Sequence, residues 1–380
     1  MASSISLLAE KIWCGAYQER ENSGYSTVKV LHCIYSLKGG GAERQLSILA
    51  SQSDAYGIES AVFCVSDEGY EQAASALRVY KPDFSSRSIL KIFSGIRSAI
   101  RDFKPDLVHA WLPPIITIPA LLSARFECIP CITSYRNRMF FDTFLRRIDF
   151  LFQFLLSKKI ISNNPVEQSS MAFQWLYRVK NGQTISNAMD VPSEYRGKAL
   201  ENKNNKRLIF VGRLTKQKNL RVVIEALAKL DGNHSFHLDV FGVGEREAEL
   251  VSLVRNDSLD QIVHFHGYAE DIYEEMSEGG VLILPSLYEG MPNVLVEAMA
   301  CGLPVICSDI PSVRFLLESG DEAILFDPKS VDSLVDVLTR IQEGNIDLSD
   351  IAKNGLNLSE KFKPSRMIES YRAAYSSVTN

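Results

Sequence analysis

Two carboxylates, Glu289 and Glu297, sit eight residues apart in LYEGMPNVLVEAMACGLPVICS (287–308), a stretch otherwise apolar enough to be buried. A carboxylate taken out of water is costly unless something bonds to it, so each needs a partner. Accepting hydrogen bonds from the hydroxyls of a ligand is one chemistry that would justify the pair. Cations occur in a second stretch, VGRLTKQKN (211–219), which carries Arg213, Lys216 and Lys218. Arg213 and Lys218 could clamp a diphosphate and neutralise it as it leaves.

Both sets of residues depend on the elements around them. VLILP reads as a strand ending at Pro285, and SLYEGM as the loop leaving its carboxyl end. Pro292 suits the first turn of a helix, where its missing N–H costs nothing. The helix should run to about Cys301 and stop at Gly302 before PVICS returns as the next strand. Glu289 then lies on the loop and Glu297 within the first two helical turns, with amides near Met291, Asn293 and Val294 aimed at the same spot. A helix start of this kind favours an anion. An anion and several hydroxyls held together describe a nucleotide sugar. The plainer alternative is that Glu297 only complements the helix dipole and Glu289 is solvated. RLIFVG (207–212) reads as another strand of the same sheet, so the loop bearing Arg213 and Lys218 leaves the same edge.

The whole chain repeats this scheme. VKVLHCIYS, IESAVFCV, DLVHAW and PCITSYR in the first half, and RLIFVG, FHLDVFG, QIVHFHG, VLILP and PVICS in the second, read as buried strands alternating with helices. Such alternation predicts an α/β fold of two Rossmann-like, doubly wound parallel sheets. A length of 380 residues also suits two domains. The expected division is an N-terminal extension (1–27), a first domain (28–192), a polar linker SEYRGKALENKNNK (193–206), a second domain (207–362) and a returning C-terminal helix (363–380). Two such domains are expected to face a cleft, with ligands at the carboxyl ends of the strands.

Composition excludes several classes. A net charge of −5 offers no electrostatic reason to bind nucleic acid. Seven scattered cysteines read as reduced, packed thiols of a cytosolic protein, including the lone Cys128–Cys131 pair. The first 27 residues carry charges where a signal peptide needs an apolar run, and no stretch of about 20 apolar residues exists to span a bilayer. GGGAER (39–44) and GVGERE (242–247) both fail to complete G-x-G-x-x-G, and no G-K-[ST] loop occurs, which disfavours nicotinamide and P-loop chemistry. No D-x-D is present to chelate a divalent ion, so no metal is expected.

Together GGGAER, VGRLTKQKN, FGVGERE (241–247) and PSLYEGMPNVLVEAMACGLPVI (285–306) resemble the retaining glycosyltransferases of group 1, or family 4, built on two Rossmann-like domains. The resemblance is closest over 207–328. It implies that Glu297 bonds the donor ribose, Glu289 the hydroxyls of the transferred sugar, and Arg213 and Lys218 the diphosphate, assisted by backbone amides of the segment Gly290, Met291, Pro292, Asn293 and Val294, in which Pro292 has no N–H to give. Gly40 and Gly41 would let backbone approach the reacting phosphate, and Tyr268 would lie in the base-binding loop. The family's His-x-His is here His109-Ala110-Trp111. His109 is expected either to touch donor or acceptor or to be a packed core histidine. The implied activity is metal- and cofactor-free transfer, with retention, of a hexose or N-acetylhexosamine from a UDP-linked donor to a glycan. That glycan would be lipid-linked and destined for a surface polysaccharide or lipopolysaccharide. The alternatives are an epimerase or sugar-phosphate synthase of the same architecture, or a non-catalytic sugar-binding subunit.

One region departs from the family. SYRNRMFFDTFLRRIDFLFQFLLSKKIISNN (134–164) reads as an aromatic, basic helix. Through 136–159 it could rest on an anionic membrane, giving a cytoplasmic enzyme peripheral to the inner face. Alternatively it is a core helix with its cations in water.

Overall fold

The computed structural model describes residues 27–37, 41–66, 77–81, 88–111, 113–136, 144–163, 171–202, 204–230 and 234–379. The chain forms two compact units, 1–188 with 364–380, and 189–363.

The first unit is built on a seven-stranded parallel sheet. Its strands are β1 (Val28–Ile34), β2 (Ile58–Cys64), β3 (Arg78–Tyr80), β4 (Leu107–Trp111), β5 (Cys131–Tyr135), β6 (Lys159–Ser162) and β7 (Gln183–Thr184), in the order β3-β2-β1-β4-β5-β6-β7. Strands such as VKVLHCI are apolar on both faces because helices cover both. Those helices are α1 (Gly41–Gln52), α2 (Ile89–Phe103), α3 (Pro114–Phe126), α4 (Phe144–Leu156) and α5 (Met171–Val179). The helix α2 buries Ile92, Ile96, Ala99, Ile100 and Phe103, one stripe at helical spacing. The C-terminal helix Pro364–Thr379 belongs to this unit and buries Met367, Ile368, Tyr371, Ala374 and Tyr375 in the cluster that holds Val30, Leu107 and Trp111.

The second unit carries six parallel strands, β8 (Arg207–Val211), β9 (His237–Phe241), β10 (Val263–Gly267), β11 (Val281–Leu284), β12 (Val305–Ser308) and β13 (Ile324–Phe326), ordered β10-β9-β8-β11-β12-β13. The helices that position its site are α6 (Arg221–Lys229), α7 (Glu247–Asn256), α8 (Ile272–Ser277) and α9 (Asn293–Cys301). The last ends at Gly302, whose φ of 86° suits a left-handed cap. In both sheets the strand order reverses once, between β1 and β4 and between β8 and β11. These are the switch points at which doubly wound sheets bind ligands.

Two stretches differ from their sequence reading. Residues 193–206 are not a spacer but part of the second unit. Gly197 N–H donates to Ala300 O (2.9 Å), Ala199 is buried, and the Asn202 side chain donates to Ser277 O (3.0 Å). The stretch is polar because backbone and amide hydrogen bonds do much of the holding, alongside the burial of Ala199 and the packing of Tyr195. Residues 134–164 are not one helix. Strand β5 runs to Tyr135, α4 covers 144–156, and Lys159–Ser162 form β6, which pairs with β5 through buried Ile160 and Ile161.

Candidate active site

The loops leaving β8 and β11, on either side of the second switch point, are stitched together. Leu287 N–H donates to Gln217 O (2.9 Å), and the Gln217 side-chain amide returns a bond to Tyr288 O (2.9 Å). This cross-link brings Lys218 Nζ to 2.6 Å from Glu289 Oε1. The Ser286 hydroxyl donates to the same oxygen at 2.6 Å. Glu289 is only 7% exposed, so the ammonium is its necessary partner. The Glu289 bond occupies one of the three donors an ammonium carries.

Arg213 is placed by its neighbours. Gly212 N–H donates to Phe241 O (3.0 Å), Leu214 N–H to Val243 O (3.0 Å), and Arg246 N–H to Leu214 O (3.0 Å), so the loops after β8 and β9 nest together. The approach is close enough to demand glycine. A Cβ on Gly242 (φ 141°) would lie 2.0 Å from Gly212 O, and one on Gly244 would lie 2.4 Å from Leu214 O. The glycines of FGVGERE are therefore explained by loop packing. Arg213 emerges from this nest exposed, with no ion pair among the described residues. The Lys218 stem runs over Gly212 beside it, where a glycine Cβ would meet Lys218 Cε at 3.5 Å.

Glu297 lies in the second turn of α9 and is buried. Tyr273 OH donates to its Oε1 at 3.3 Å. Tyr273 is set by the start of α8, where the Asp271 carboxylate accepts from Tyr273 N–H (2.9 Å) and Glu274 N–H (3.3 Å). Gly290, Met291 and Pro292 complete the loop from Glu289, and Asn293 and Val294 open α9. Tyr268 follows β10 and is 82% exposed. Gly41 opens α1 in the first unit, and Gly40 lies outside the described residues. Ser286, Gln217 and Tyr273 were not singled out from sequence. The Asp271 cap of the helix that carries Tyr273 was the one local signal for any of them.

The ligand-touching reading of His109 is corrected in favour of its stated alternative, the packed core histidine, because the residue lies within a strand and not at its end. The strand β4 continues to Trp111, leaving the ring fully buried. Its Nε2 is 2.7 Å from the Ser134 hydroxyl and its Nδ1 is 2.8 Å from Tyr375 OH. Opposite it in register stands His32, whose Nδ1 accepts from the Trp111 indole N–H at 3.2 Å. Burial holds both imidazoles neutral. It lowers His32 to about 3, and it lowers His109 well below the ordinary histidine value, aided by His32 and Arg136. Five of the six described cysteines behave as packing residues, whereas Cys128, expected to be packed with Cys131, does not. Cys33, Cys64, Cys131, Cys301 and Cys307 are buried and unpaired, and Cys128 is exposed.

Two doubly wound sheets, the second with a Lys–Glu pair across its switch point, form an α/β architecture whose ligand position is the carboxyl end of the strands. Two family models divide the chain between them. Glycosyltransferase Family 4 matches residues 39–191, and Glycosyl transferases group 1 matches 192–358. The chain belongs to this glycosyltransferase family. It is 33% identical over 152 residues to the amylovoran biosynthesis glycosyltransferase AmsK of Erwinia amylovora, covering 37% of each chain. It is 30% identical over 165 residues to an N-acetylgalactosaminyltransferase of Campylobacter jejuni that acts on a diphospho-undecaprenol-linked sugar, covering 43% of this chain and 44% of that one. The matched stretches thus span less than half of these relatives. Among solved structures, Anabaena Alr3699/HepE in complex with UDP shares the fold at 20% identity with a TM-score of 0.77, over 92% of this chain and 100% of that one.

Proposed function

We propose that the chain transfers a hexose or N-acetylhexosamine from a UDP-linked donor to a lipid-linked glycan during assembly of a surface polysaccharide, at the inner face of the membrane. The observation that carries this reading is the Lys218–Glu289 pair at the β8/β11 switch point, with Arg213 exposed on the adjoining loop. The UDP bound by the Anabaena protein and the undecaprenol-borne sugar named for the Campylobacter enzyme support the donor and acceptor classes.

Each residue has a role that follows from its setting. Glu289 receives both its bonds at Oε1, which leaves Oε2 to accept from a hydroxyl of the transferred sugar. Lys218 keeps donors for the diphosphate while it holds Glu289, and Arg213 adds a planar fork for the phosphate oxygens. Glu297, steadied by Tyr273, accepts from the ribose, and the positive end of α9 favours the diphosphate. Charge building on the departing phosphate is thereby neutralised by side chains and backbone, with no metal required. A carboxylate engaged with hydroxyls is badly placed to attack the anomeric carbon. The acceptor therefore attacks from the face the phosphate leaves, through an oxocarbenium-like state. The phosphate takes the acceptor's proton, and configuration is retained.

A thermal-shift titration with UDP, and then with UDP-sugars, tests the donor site. Saturating donor should raise the melting point, by about 2.7 kcal/mol of stabilisation at a hundredfold excess over Kd. Lys218→Ala and Glu297→Ala should abolish the shift, and Cys128→Ser should keep it. Conversion of the donor without any acceptor would instead indicate an epimerase.

A further inference from the structure

Five of the twelve large apolar side chains exposed among the described residues lie on two helices of the first unit, α4 and α5. Leu151 and Leu155 follow one another at i, i+4 on α4. Met171, Trp175 and Val179 do the same on α5, and each of the five is half or more exposed. The stripes adjoin, because the Trp175 ring stands 5.1 Å from that of Phe154 on α4. The phenylalanines prominent in the sequence, Phe150, Phe152 and Phe154, are turned towards the unit's own clusters, whereas Phe140 and Phe141 lie outside the described residues. The exposed apolar surface is thus made of other residues, and three of its five belong to a helix that the sequence reading passed over.

The exposed charges carried by these two stretches of chain are of one sign. Over 144–163 and 171–182 the only acid is Asp149, which is buried, while Arg147, Lys158 and Arg178 are exposed. Lys180 Nζ sits 5.5 Å above the Phe154 ring. Burial and the charge of Lys158 lower its pKa, so two ammonium groups are crowded at the patch edge. A protein with net charge −5 that gathers cations and apolar side chains on one face has built a complement to an anionic, partly apolar surface.

We propose that the α4–α5 face is a docking surface for an anionic phospholipid bilayer, with Trp175, Leu151 and Leu155 entering the headgroup region and Lys158, Arg178 and Lys180 meeting lipid phosphates. This proposal rests on the lipid-linked acceptor for its biological sense, but its test is independent of transfer. Full-length protein is sedimented with phosphatidylcholine vesicles and with phosphatidylcholine–phosphatidylglycerol vesicles. Binding is expected only to the anionic ones. Lys158→Ala with Lys180→Ala should weaken it about thirtyfold, at about 1 kcal/mol per lysine near the surface. Leu155→Ala with Trp175→Ala should weaken it about tenfold through lost apolar burial. UDP thermal shift and transfer to a short-chain, water-soluble acceptor should be unchanged in all variants, showing that they fold and that the donor site is intact. Equal binding to neutral vesicles, no binding, or binding indifferent to both pairs of substitutions overturns the proposal. So does sedimentation equilibrium showing a dimer that Leu155→Glu dissociates while vesicle binding persists, since the face would then cover a second copy of the chain.

Discussion

Both sheets reverse their strand order at one point, yet the residues gathered there differ. At the β8/β11 point of the second unit stand an ammonium, a carboxylate and an exposed guanidinium, carried on loops cross-linked by Gln217. At the β1/β4 point of the first unit stand two neutral imidazoles and an indole. They are packed against Tyr371 and Tyr375 of the C-terminal helix and fully enclosed. The Arg136 guanidinium nearby is also buried. It stacks 4.6 Å from the centre of the Trp111 ring and donates to Asn187 Oδ1 (2.6 Å) and Tyr371 OH. A switch point therefore supplies a position, and the segments packed over it decide whether that position serves chemistry or cohesion. In the second unit short loops leave charges at the edge. In the first, a helix from the far end of the chain seals the polar groups in.

The sharpest way to break this contrast is to remove the charge at the second point. Lys218→Ala should lower kcat/KM by a factor of roughly 100 to 1,000, the usual cost of losing one donor to a developing anion. It should also lower unfolding free energy by about 3 kcal/mol, because Glu289 is left buried without its cation. Adding Glu289→Gln should restore most of the stability and none of the activity. Urea unfolding and donor-consumption assays on the two variants separate these effects, and parallel recovery of both would undo the assignment. Gly242→Ala should come next, at about 2 kcal/mol in unfolding free energy with a weakened UDP shift. Its methyl would strike the Gly212 carbonyl and push the Arg213 loop aside.

Acid should act on the first unit. His32 and His109 bind protons when unfolded below their ordinary value near 6.5, but not when buried, so stability falls as pH falls from 6.5. Asp149 opposes them. Burial raises it to about 7, so the folded state holds a proton there that the unfolded chain releases until about pH 4. The net excess of one proton on the unfolded side gives a loss of about 1.4 kcal/mol per pH unit between 6 and 5. Asp149→Asn should make the slope steeper. The second unit has no buried histidine among its described residues and should lose less over this range. Hydrogen exchange resolved by segment measures both units in one sample. The smallest effect should be Tyr273→Phe. Loss of its hydroxyl bond to Glu297 should weaken UDP binding about fivefold, corresponding to about 1 kcal/mol.

Much of the second unit was legible in its sequence because each signal was local. The run VLILP, the helix stop at Gly302 and the acids eight residues apart all fall within 281–302, on adjacent elements. The partners of those acids were harder to read. Lys218 was expected to grip phosphate and does reach the site, but its bond to Glu289 spans 71 positions of sequence. The Gln217 cross-link spans the same interval. His109 shows the converse limit. A histidine near a strand end looks exposed until Tyr375, 266 residues away, closes over it. The stretch 134–164 was read as a single helix because it combines many phenylalanines with many cations. Pairing to β5 instead drew Lys159–Ser162 into the sheet, a tertiary demand that overrides local periodicity.

The central claim, that the second switch point grips the donor diphosphate through Lys218 and Arg213, is tested most directly by calorimetric titration of UDP into the Lys218→Ala, Glu289→Gln double variant. That protein keeps a neutral side chain in place of each partner, so loss of binding cannot be blamed on a stranded carboxylate. The expected result is a Kd at least about a hundredfold weaker than that of the unaltered chain, for the loss of a charge-assisted contact of about 3 kcal/mol. Binding as tight as in the unaltered protein would mean that the diphosphate is held elsewhere.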